Sequence, residues 1–379
     1  IARHARVPPM GTSVAGRAPE IMEPGEGGLE RAFPRLGVFP RVRLCELPTP
    51  VEPLSIPGTP ADKWVKRDDR TSPIYGGNKP RKLEYILGDA LAKGADVLLT
   101  SGYLGTNHGL ATAIHAARLG LRTRIILVRQ GPTEHVRRNL LLLRHHDAEL
   151  IYARNMVHGA LLTALEMRRL RAAGRRPYFV PPGGSSAIGT LGFVQAAFEL
   201  RDQINAGILP VPDCVYVAHG SSGSLVGLAL GFRLCGVKTE VMGVRVVAKY
   251  WTNGWTARRL FRGARQLLYD QSAGIPDVGD QYMHSINGYF GPGYGIPSSV
   301  AIEAKQMAMD GAGLYLDPAY TSKTLAAMLD HARREPWKRF LLWHTYNSAP
   351  LDESVVAANR WRDLDPKLHW VFEGARESA

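Results

Sequence analysis

Short apolar runs alternate with longer segments of helical periodicity over most of the chain. The apolar runs lie at residues 97–100, 124–128, 149–152, 177–180, 214–218 and 240–244. Helical periodicity lies between them, at about 111–119, in a leucine-rich stretch before 149, and at about 159–173. Apolar runs of this length that alternate with helices indicate a mostly parallel sheet with helices on both faces. The pattern therefore predicts an α/β fold.

Residues 1–36 lack this pattern. They contain five prolines and five glycines without sustained periodicity, which predicts an irregular N-terminal extension outside the fold. The first 19 residues carry arginines and no acidic residue, as transit peptides do. Serine is scarce there and a secretory apolar core is missing, so a targeting role is only a weak alternative.

Composition narrows the class of protein. The chain has 379 residues, a formal charge of +13 and 45% apolar residues, which suits a globular protein with a sizeable core. No run approaches the ~20 apolar residues of a membrane span. The cysteines, Cys45, Cys214 and Cys235, are too few and too scattered for a disulfide framework or a metal site. A reducing, cytoplasmic setting without metal or membrane is expected.

The excess of arginine does not indicate a nucleic-acid partner. The arginines gather on segments that are predicted to be helix surface, such as 137–144, 168–171 and 258–265. Nucleic-acid-binding proteins interleave such residues with aromatic side chains or carry a recognisable module, and neither feature is present. Solvated helix faces are the simpler interpretation.

A first candidate site lies at residues 219–227, His-Gly-Ser-Ser-Gly-Ser-Leu-Val-Gly, between an apolar run and a small-residue helix. Glycine and serine leave backbone N–H groups uncovered, and a helix N-terminus adds partial positive charge. No Gly-Lys-Ser/Thr follows the loop, and the spacing does not match a dinucleotide-binding motif. The pattern predicts a cup for one phosphate monoester, with an ordinary turn as the alternative. Its residues are Gly220, Ser221, Ser222, Gly223 and Ser224.

A second candidate is Lys79, in the run Gly-Gly-Asn-Lys-Pro at 76–80. The two glycines permit close approach of the backbone to a flat ligand, and Pro80 suits a first helical turn. The chain has only eleven lysines, and this one stands in a turn rather than on a charged face. A sheltered lysine can be neutral enough to attack an aldehyde, whereas the alternative is a solvated cation beside a helix cap. Together with a phosphate cup, it suggests pyridoxal 5′-phosphate.

The run GGNKPRKLE at 76–84 resembles the cofactor-lysine motif of the D-cysteine desulfhydrase and 1-aminocyclopropane-1-carboxylate (ACC) deaminase family. This family belongs to the tryptophan-synthase-β-like, fold-type II enzymes that use pyridoxal 5′-phosphate. The resemblance extends over about residues 38–350. Six further ordered blocks carry it: LPTPVEPL at 47–54, WVKRDD at 64–69, VPPGGSSAIGTLGF at 180–193, GPGYGIP at 291–297, LDPAYTSK at 316–323 and WHT at 343–345.

The resemblance implies two α/β domains with mostly parallel twisted sheets and an active site in the cleft between them. We expect a large domain formed by residues 37–84 and 196–379, and a small domain inserted at residues 85–195. A homodimer that acts on a small amino acid with pyridoxal 5′-phosphate as cofactor is also implied.

The resemblance further implies individual roles. Lys79 binds the cofactor covalently, Asn107 contacts its ring oxygen, and Thr106 lies near the substrate carboxylate. The implied catalytic residues are Lys79, Tyr294, Tyr320 and Thr106. The implied cofactor-binding residues are Lys79, Asn78, Asn107, Gly220, Ser221, Ser222, Gly223, Ser224, Thr321 and Thr345. The implied substrate-binding residues are Thr106, Asn107, His108 and Tyr346.

Thr321 or Thr345 is expected to face the pyridine nitrogen. The ACC deaminase pattern has glutamate where this chain has Thr321, and a hydroxyl leaves the ring a weaker electron sink than a carboxylate does. This favours D-cysteine desulfhydrase-like β-elimination, which yields pyruvate, ammonia and a thiol. Gly105 and Tyr346 depart from the family pattern on the substrate side. The alternatives are ACC deamination, racemisation or β-replacement on a larger amino acid, and cofactor binding without turnover.

Overall fold

The protein is described by a computed structural model over residues 20–22, 26–59, 61–249, 252–272 and 274–373. The helices of this part are α1 Gly28–Ala32, α2 Asn78–Ala92, α3 Asn107–Ala117, α4 Glu134–His145, α5 Met156–Ala172, α6 Ala187–Asn205, α7 Gly223–Leu234, α8 Gly254–Gln271, α9 Ser299–Ala312, α10 Thr321–Arg334, α11 Glu353–Ala357 and α12 Trp370–Glu373. The strands are β1 Val51–Pro53, β2 Asp62–Lys66, β3 Val97–Tyr103, β4 Arg122–Val128, β5 Glu149–Ala153, β6 Pro177–Val180, β7 Cys214–His219, β8 Glu240–Arg245, β9 Met283–Ile286 and β10 Arg339–Trp343.

The strands form two sheets. The four-stranded sheet has the order β5-β4-β3-β6 and is parallel throughout. The six-stranded sheet has the order β1-β2-β10-β7-β8-β9, and only β1 runs antiparallel to its neighbour. The six predicted apolar runs are β3 to β8, so the prediction of a mostly parallel α/β fold is confirmed. The four-stranded sheet comes from one continuous stretch, whereas strands from both sides of it build the six-stranded sheet.

Glycines allow α2, α6 and α7 to pack closely. A Cβ atom on Gly192 of α6 would lie 2.0 Å from the carbonyl oxygen of Arg81 on α2. A Cβ atom on Gly227 of α7 would lie 2.4 Å from the Cβ of Phe193 on α6. Because real Cβ contacts never come so close, only glycine permits this packing. Because α6 packs against both helices, it fixes the position of α2, which carries Lys79, relative to α7, which begins at the predicted phosphate cup.

The N-terminal segment departs from expectation. Residues 26–36 are neither irregular nor outside the fold, because Leu29 and Leu36 are each only 1% exposed and belong to the main core. Phe33 meets the ring of Phe198 on α6 edge to face at 6.3 Å. Apolar residues at 29, 33 and 36 share one face at helical spacing, and the surrounding glycines and prolines concealed this pattern. The predicted arginine-rich stretch at 1–19 lies outside the described residues.

Two helices begin earlier than the sequence pattern predicts, because capping side chains lie before the predicted starts. Helix α3 begins at 107 rather than 111 because the hydroxyl of Thr106 accepts a hydrogen bond from the Gly109 amide at 3.0 Å. Helix α5 begins at 156 rather than 159 because the Asn155 side chain accepts one from the His158 amide at 2.9 Å. Within the described residues, none of the helices combines the length and apolar character needed to cross a bilayer.

Candidate active site

A cavity of about 680 Å³ lies beyond the carboxyl ends of strands from both sheets. Its wall includes the C-terminal residue of β3 and residues immediately after β6 and β10, together with the loop that follows β7. Side chains that follow parallel strands meet at one edge of each sheet, which is where open α/β folds bind ligands. The two sheets thus contribute opposite walls to one ligand-sized space.

Lys79 lies in the first turn of α2 and reaches this cavity. Gly77 precedes it with φ +85°, and a Cβ there would lie 2.6 Å from the carbonyl oxygen of Thr345, so the turn requires glycine. The Lys79 Nζ donates to Asn78 Oδ1 at 2.6 Å. Burial lowers the pKa of Lys79 to about 8, although the nearby carboxylate of Asp317 opposes the shift. The amine therefore has a substantial neutral fraction near neutral pH.

Lys82 also lines the cavity, because residues three apart share a helix face. Its Nζ donates to the Gly183 carbonyl at 3.2 Å and to Ser185 Oγ at 3.3 Å. Burial, reinforced by the charge of Lys79, lowers the pKa of Lys82 well below its usual value. A Cβ on Gly223 would lie 2.8 Å from this nitrogen, so the amine stands directly against the cup. Sequence reasoning missed this cup contact, although the i, i+3 spacing from Lys79 could have indicated it.

The predicted cup is built from two loops rather than one. Ser222 adopts a left-handed conformation, φ 71°, immediately before α7, whose first N–H groups lack helical carbonyl partners. Ser185 from the loop after β6 closes the other side, with its Oγ 2.7 Å from Ser221 Oγ and accepting from the Gly223 amide at 3.2 Å. Asn78 ties α2 to the cup by donating to Ser224 Oγ at 3.2 Å. Amide and hydroxyl donors thus converge on one point beside Lys82.

The opposite wall is the start of α3, where Thr106, Asn107 and His108 all line the cavity. His108 Nε2 lies 3.1 Å from Thr100 Oγ1, whose hydroxyl hydrogen is donated to the Val180 carbonyl at 2.8 Å. The imidazole must therefore donate through Nε2. Burial, with smaller contributions from Lys79 and Lys82, lowers the pKa of His108 well below its usual value, so the ring is neutral.

Aromatic residues close the remaining side. The hydroxyls of Tyr294 and Tyr320 are hydrogen-bonded to each other, and the ring of Tyr103 lies 4.8 Å from that of Tyr294. Burial raises the pKa of both hydroxyls, so each stays protonated at neutral pH. The glycine-rich loop that carries Tyr294 is held by Lys323, whose Nζ donates to the carbonyls of Phe290 at 2.6 Å and Ile296 at 2.8 Å.

Thr321 is the one predicted site residue that does not line the cavity. It is fully buried, and its hydroxyl donates to Asp317 Oδ1 at 2.6 Å while accepting from the Asp317 amide at 2.9 Å. Asp317 caps α10, which draws Thr321 inward. Thr345 does line the cavity, and its side chain has no hydrogen-bond partner within the described residues. The expectation that Thr321 or Thr345 faces the pyridine ring therefore narrows to Thr345.

All other predicted site residues come together on the cavity wall: Asn78, Lys79, Thr106, Asn107, His108, Gly220, Ser221, Ser222, Gly223, Ser224, Tyr294, Tyr320, Thr345 and Tyr346. The arrangement fits pyridoxal 5′-phosphate. A partly buried amine of lowered pKa suits its aldehyde, and a cup of amides, hydroxyls and Lys82 suits its phosphate. The residues that sequence reasoning missed are Lys82, Ser185, Tyr103 and Asp317.

The chain is similar to known proteins over most of its length. D-cysteine desulfhydrase of Serratia proteamaculans (strain 568) is 35% identical over 311 residues, covering 80% of this chain and 92% of the relative. D-cysteine desulfhydrase of Salmonella choleraesuis (strain SC-B67) is 36% identical over 303 residues, covering 77% and 88%. The crystal structure of an ACC deaminase homologue superposes with a TM-score of 0.71 at 31% identity, covering 86% of this chain and 98% of its own.

The predicted fold-type II architecture and its cofactor are thereby confirmed. The family described as pyridoxal-phosphate dependent enzyme matches residues 42–345, which include both cavity lysines, the cup, Tyr294 and Tyr320. The chain belongs to this family of pyridoxal-phosphate dependent enzymes.

Proposed function

We propose that the protein catalyses β-elimination from a small amino acid with a good β-leaving group, as D-cysteine desulfhydrases do. Cysteine and water would yield pyruvate, ammonia and hydrogen sulfide. The main support for this reaction is that Lys79, whose amine has a lowered pKa, lines the same cavity as the hydrogen-bonded hydroxyls of Tyr294 and Tyr320. The similarity to two D-cysteine desulfhydrases over most of the chain supports the same reaction.

The cup and the start of α2 bind and orient the cofactor. Lys82, Ser185 and the first amides of α7 hold its phosphate, and Asn78 orients the Lys79 amine by accepting its hydrogen bond. When bound, pyridoxal 5′-phosphate supplies an electron-withdrawing ring that makes the α-hydrogen of an amino acid acidic. The Thr345 hydroxyl is the group proposed to meet the pyridine nitrogen.

The other cavity residues act on the substrate. The N-terminus of α3, at Thr106 and Asn107, attracts the substrate carboxylate through its uncovered amides and dipole. Neutral Lys79 can accept the α-proton because its pKa is lowered to about 8. Tyr294 and Tyr320 remain protonated, so their hydroxyl pair can donate a hydrogen bond to the departing sulfur.

We also propose a domain division, an oligomeric state and a cellular location. The continuous four-stranded sheet supports a small domain at residues 85–195, inserted into a large domain formed by 37–84 and 196–379. The family resemblance supports a homodimer, which light scattering at two concentrations tests. The unpaired thiols of Cys45, Cys214 and Cys235 support a reducing, cytoplasmic location.

ACC deamination is the second candidate, since a homologue of that enzyme superposes over 86% of the chain. Opening a cyclopropane requires breaking a carbon–carbon bond, which calls for a strong electron sink. Thr345 offers the pyridine ring a hydroxyl rather than a carboxylate. The carboxylate of Asp317 already accepts hydrogen bonds from Tyr320 and Thr321 at the start of α10. This arrangement favours expulsion of a thiolate, which needs less stabilisation of negative charge.

The decisive experiment measures pyruvate from D-cysteine, L-cysteine and β-chloro-D-alanine, and 2-oxobutyrate from ACC. We expect pyruvate from at least one of the first three compounds and little 2-oxobutyrate, with Lys79→Ala as the inactive control. Efficient 2-oxobutyrate formation without pyruvate would overturn β-elimination in favour of deamination. No product from any of the four would contradict both and favour a larger substrate, for which Tyr346→Gly is the next variant.

A further inference from the structure

Asn139, on α4, is 2% exposed and lies behind the cavity wall rather than in it. Its Nδ2 donates to the carbonyl of Gly105 at 3.0 Å and to Asn107 Oδ1 at 3.1 Å. Both acceptors belong to the turn that begins α3, which is the wall predicted to meet the cofactor and the substrate carboxylate. Asn139 is thus a buried amide whose hydrogen bonds end on a residue of the site.

Both hydrogens of the Asn139 side-chain amide are donated to these two acceptors. His135 Nε2 also lies 3.0 Å from the Gly105 carbonyl and must donate to it, because a carbonyl oxygen only accepts. This nitrogen therefore has no lone pair for Asn139, although the two nitrogens are 3.3 Å apart. The two N–H bonds of the Asn139 amide remain for Gly105 and Asn107, and the amide has one orientation.

This arrangement fixes the side chain of Asn107. A free asparagine amide can rotate by about 180°, exchanging its acceptor oxygen for its donor nitrogen at nearly unchanged shape. Because Asn139 occupies the oxygen of Asn107, the NH₂ group of Asn107 is the end left for a cavity ligand. Rotation would face the two NH₂ groups against each other and leave buried donors unsatisfied.

We propose that Asn139 is a positioning residue that makes Asn107 a hydrogen-bond donor to the ring oxygen of the cofactor. The proposal rests on the cofactor contact expected of Asn107 and not on the reaction that follows. A hydrogen bond to an ionised oxygen is stronger than one between neutral groups, so a correctly oriented amide strengthens cofactor binding and favours the ionised ring oxygen. Loss of the orientation removes both effects while leaving Lys79 and the cup intact.

The test is a double-mutant cycle on the full-length protein. Asn139→Leu removes both donors at similar volume, Asn107→Ala removes the positioned amide, and a third variant carries both changes. His135→Phe is the matched control, since His135 shares the Gly105 contact but does not touch Asn107. The readouts are the dissociation constant for pyridoxal 5′-phosphate and the pH at which the absorbance of the bound cofactor changes, neither of which requires turnover.

We expect Asn139→Leu to weaken cofactor binding by roughly tenfold or more and to move the absorbance transition to higher pH. Asn107→Ala should do the same, and the double variant should be no worse than Asn107→Ala alone. His135→Phe should change the dissociation constant by less than about threefold, because it leaves the hydrogen bond from Asn139 to Asn107 in place. Additive losses in the double variant, or an unchanged transition in Asn139→Leu, would overturn the proposal.

If Asn139→Leu does not fold, Asn139→Asp takes its place, because it keeps the volume and turns the donor into an acceptor. The same non-additivity with Asn107→Ala is then expected, and additivity again contradicts the proposal. Both readouts report on binding alone. Additive effects in a protein with normal β-elimination activity therefore refute the role of Asn139 and leave β-elimination standing. Non-additive effects in a protein without that activity support the role of Asn139 and contradict β-elimination.

Discussion

The reactivity of Lys79 offers a quantitative test of how the cavity tunes its chemistry. Burial lowers the pKa of this amine to about 8, and the negative charge of Asp317 acts in the opposite direction. An ammonium group loses stabilisation when a neighbouring carboxylate is removed. Asp317→Asn is therefore expected to lower the pKa of Lys79 further. Its one carbonyl oxygen can still accept from the Ala319 and Tyr320 amides, whereas the Thr321 amide loses its acceptor.

The size of the effect follows from the neutral fraction. At pH 7 a pKa of about 8 leaves roughly one-tenth of the amine neutral, whereas the ordinary value of 10.5 leaves roughly 0.03%. Lys79 should thus present about 300 times more neutral amine than a solvated lysine does. In Asp317→Asn the neutral fraction at pH 7 can rise by at most about tenfold, because it cannot exceed one.

The assay follows covalent capture of pyridoxal 5′-phosphate by cofactor-free protein from pH 6 to 10. Samples are quenched with borohydride, and the labelled peptide is identified by mass spectrometry. The initial rate should rise with pH and level off above about pH 8. The pH at which the rate is half-maximal should be lower in Asp317→Asn than in the wild type. The label should be on Lys79 in both proteins, with Lys79→Arg as the unlabelled control.

Two results would refute this reasoning. A midpoint near 10.5 would show that Lys79 is not desolvated by the cavity wall. A midpoint that rises in Asp317→Asn would show that the carboxylate does not stabilise the ammonium form. A label on Lys82 would instead show that the two cavity lysines exchange roles, despite the contacts that hold Lys82 against the cup.

Two further predictions concern stability and backbone geometry. Arg81→Met leaves the buried carboxylate of Asp68 without its guanidinium partner at 2.7 Å and leaves Glu199 paired with Lys66 alone, so we expect unfolding in urea to show a loss of about 3–5 kcal/mol. Burial opposes ionisation of Glu199, but Arg81 and Lys66 together outweigh it and hold its pKa at about 2, so this stabilisation should disappear in the wild type as the pH falls from 4.5 through 2. Gly77→Ala should weaken cofactor binding at least tenfold, because its Cβ meets the Thr345 carbonyl at 2.6 Å. Gly174→Ala, with a similar φ of +70° and open space, should leave binding unchanged; equal losses in both variants would contradict the steric argument.

The sequence alone determined the features that depend on neighbours along the chain. The apolar runs predicted β3 to β8, because alternation of short and long periodic segments is a local property. The serine- and glycine-rich turn at 220–224 and the sheltered Lys79 likewise predicted the cup and the amine, since turn chemistry is set by a few adjacent residues. Element boundaries were less well predicted, because a single cap such as Asn155 moves a helix start by three residues.

Only the tertiary structure decided which side chains complete the site. Lys82 meets the cup through a carbonyl 101 residues away, and Asn139 reaches Asn107 across 32 residues. Thr321 and Thr345 are equivalent candidates in the sequence, yet one is drawn inward by Asp317 and the other faces the cavity. The direction and protonation of a side chain depend on burial and on partners that folding brings from distant segments. Local pattern carries no information about those partners.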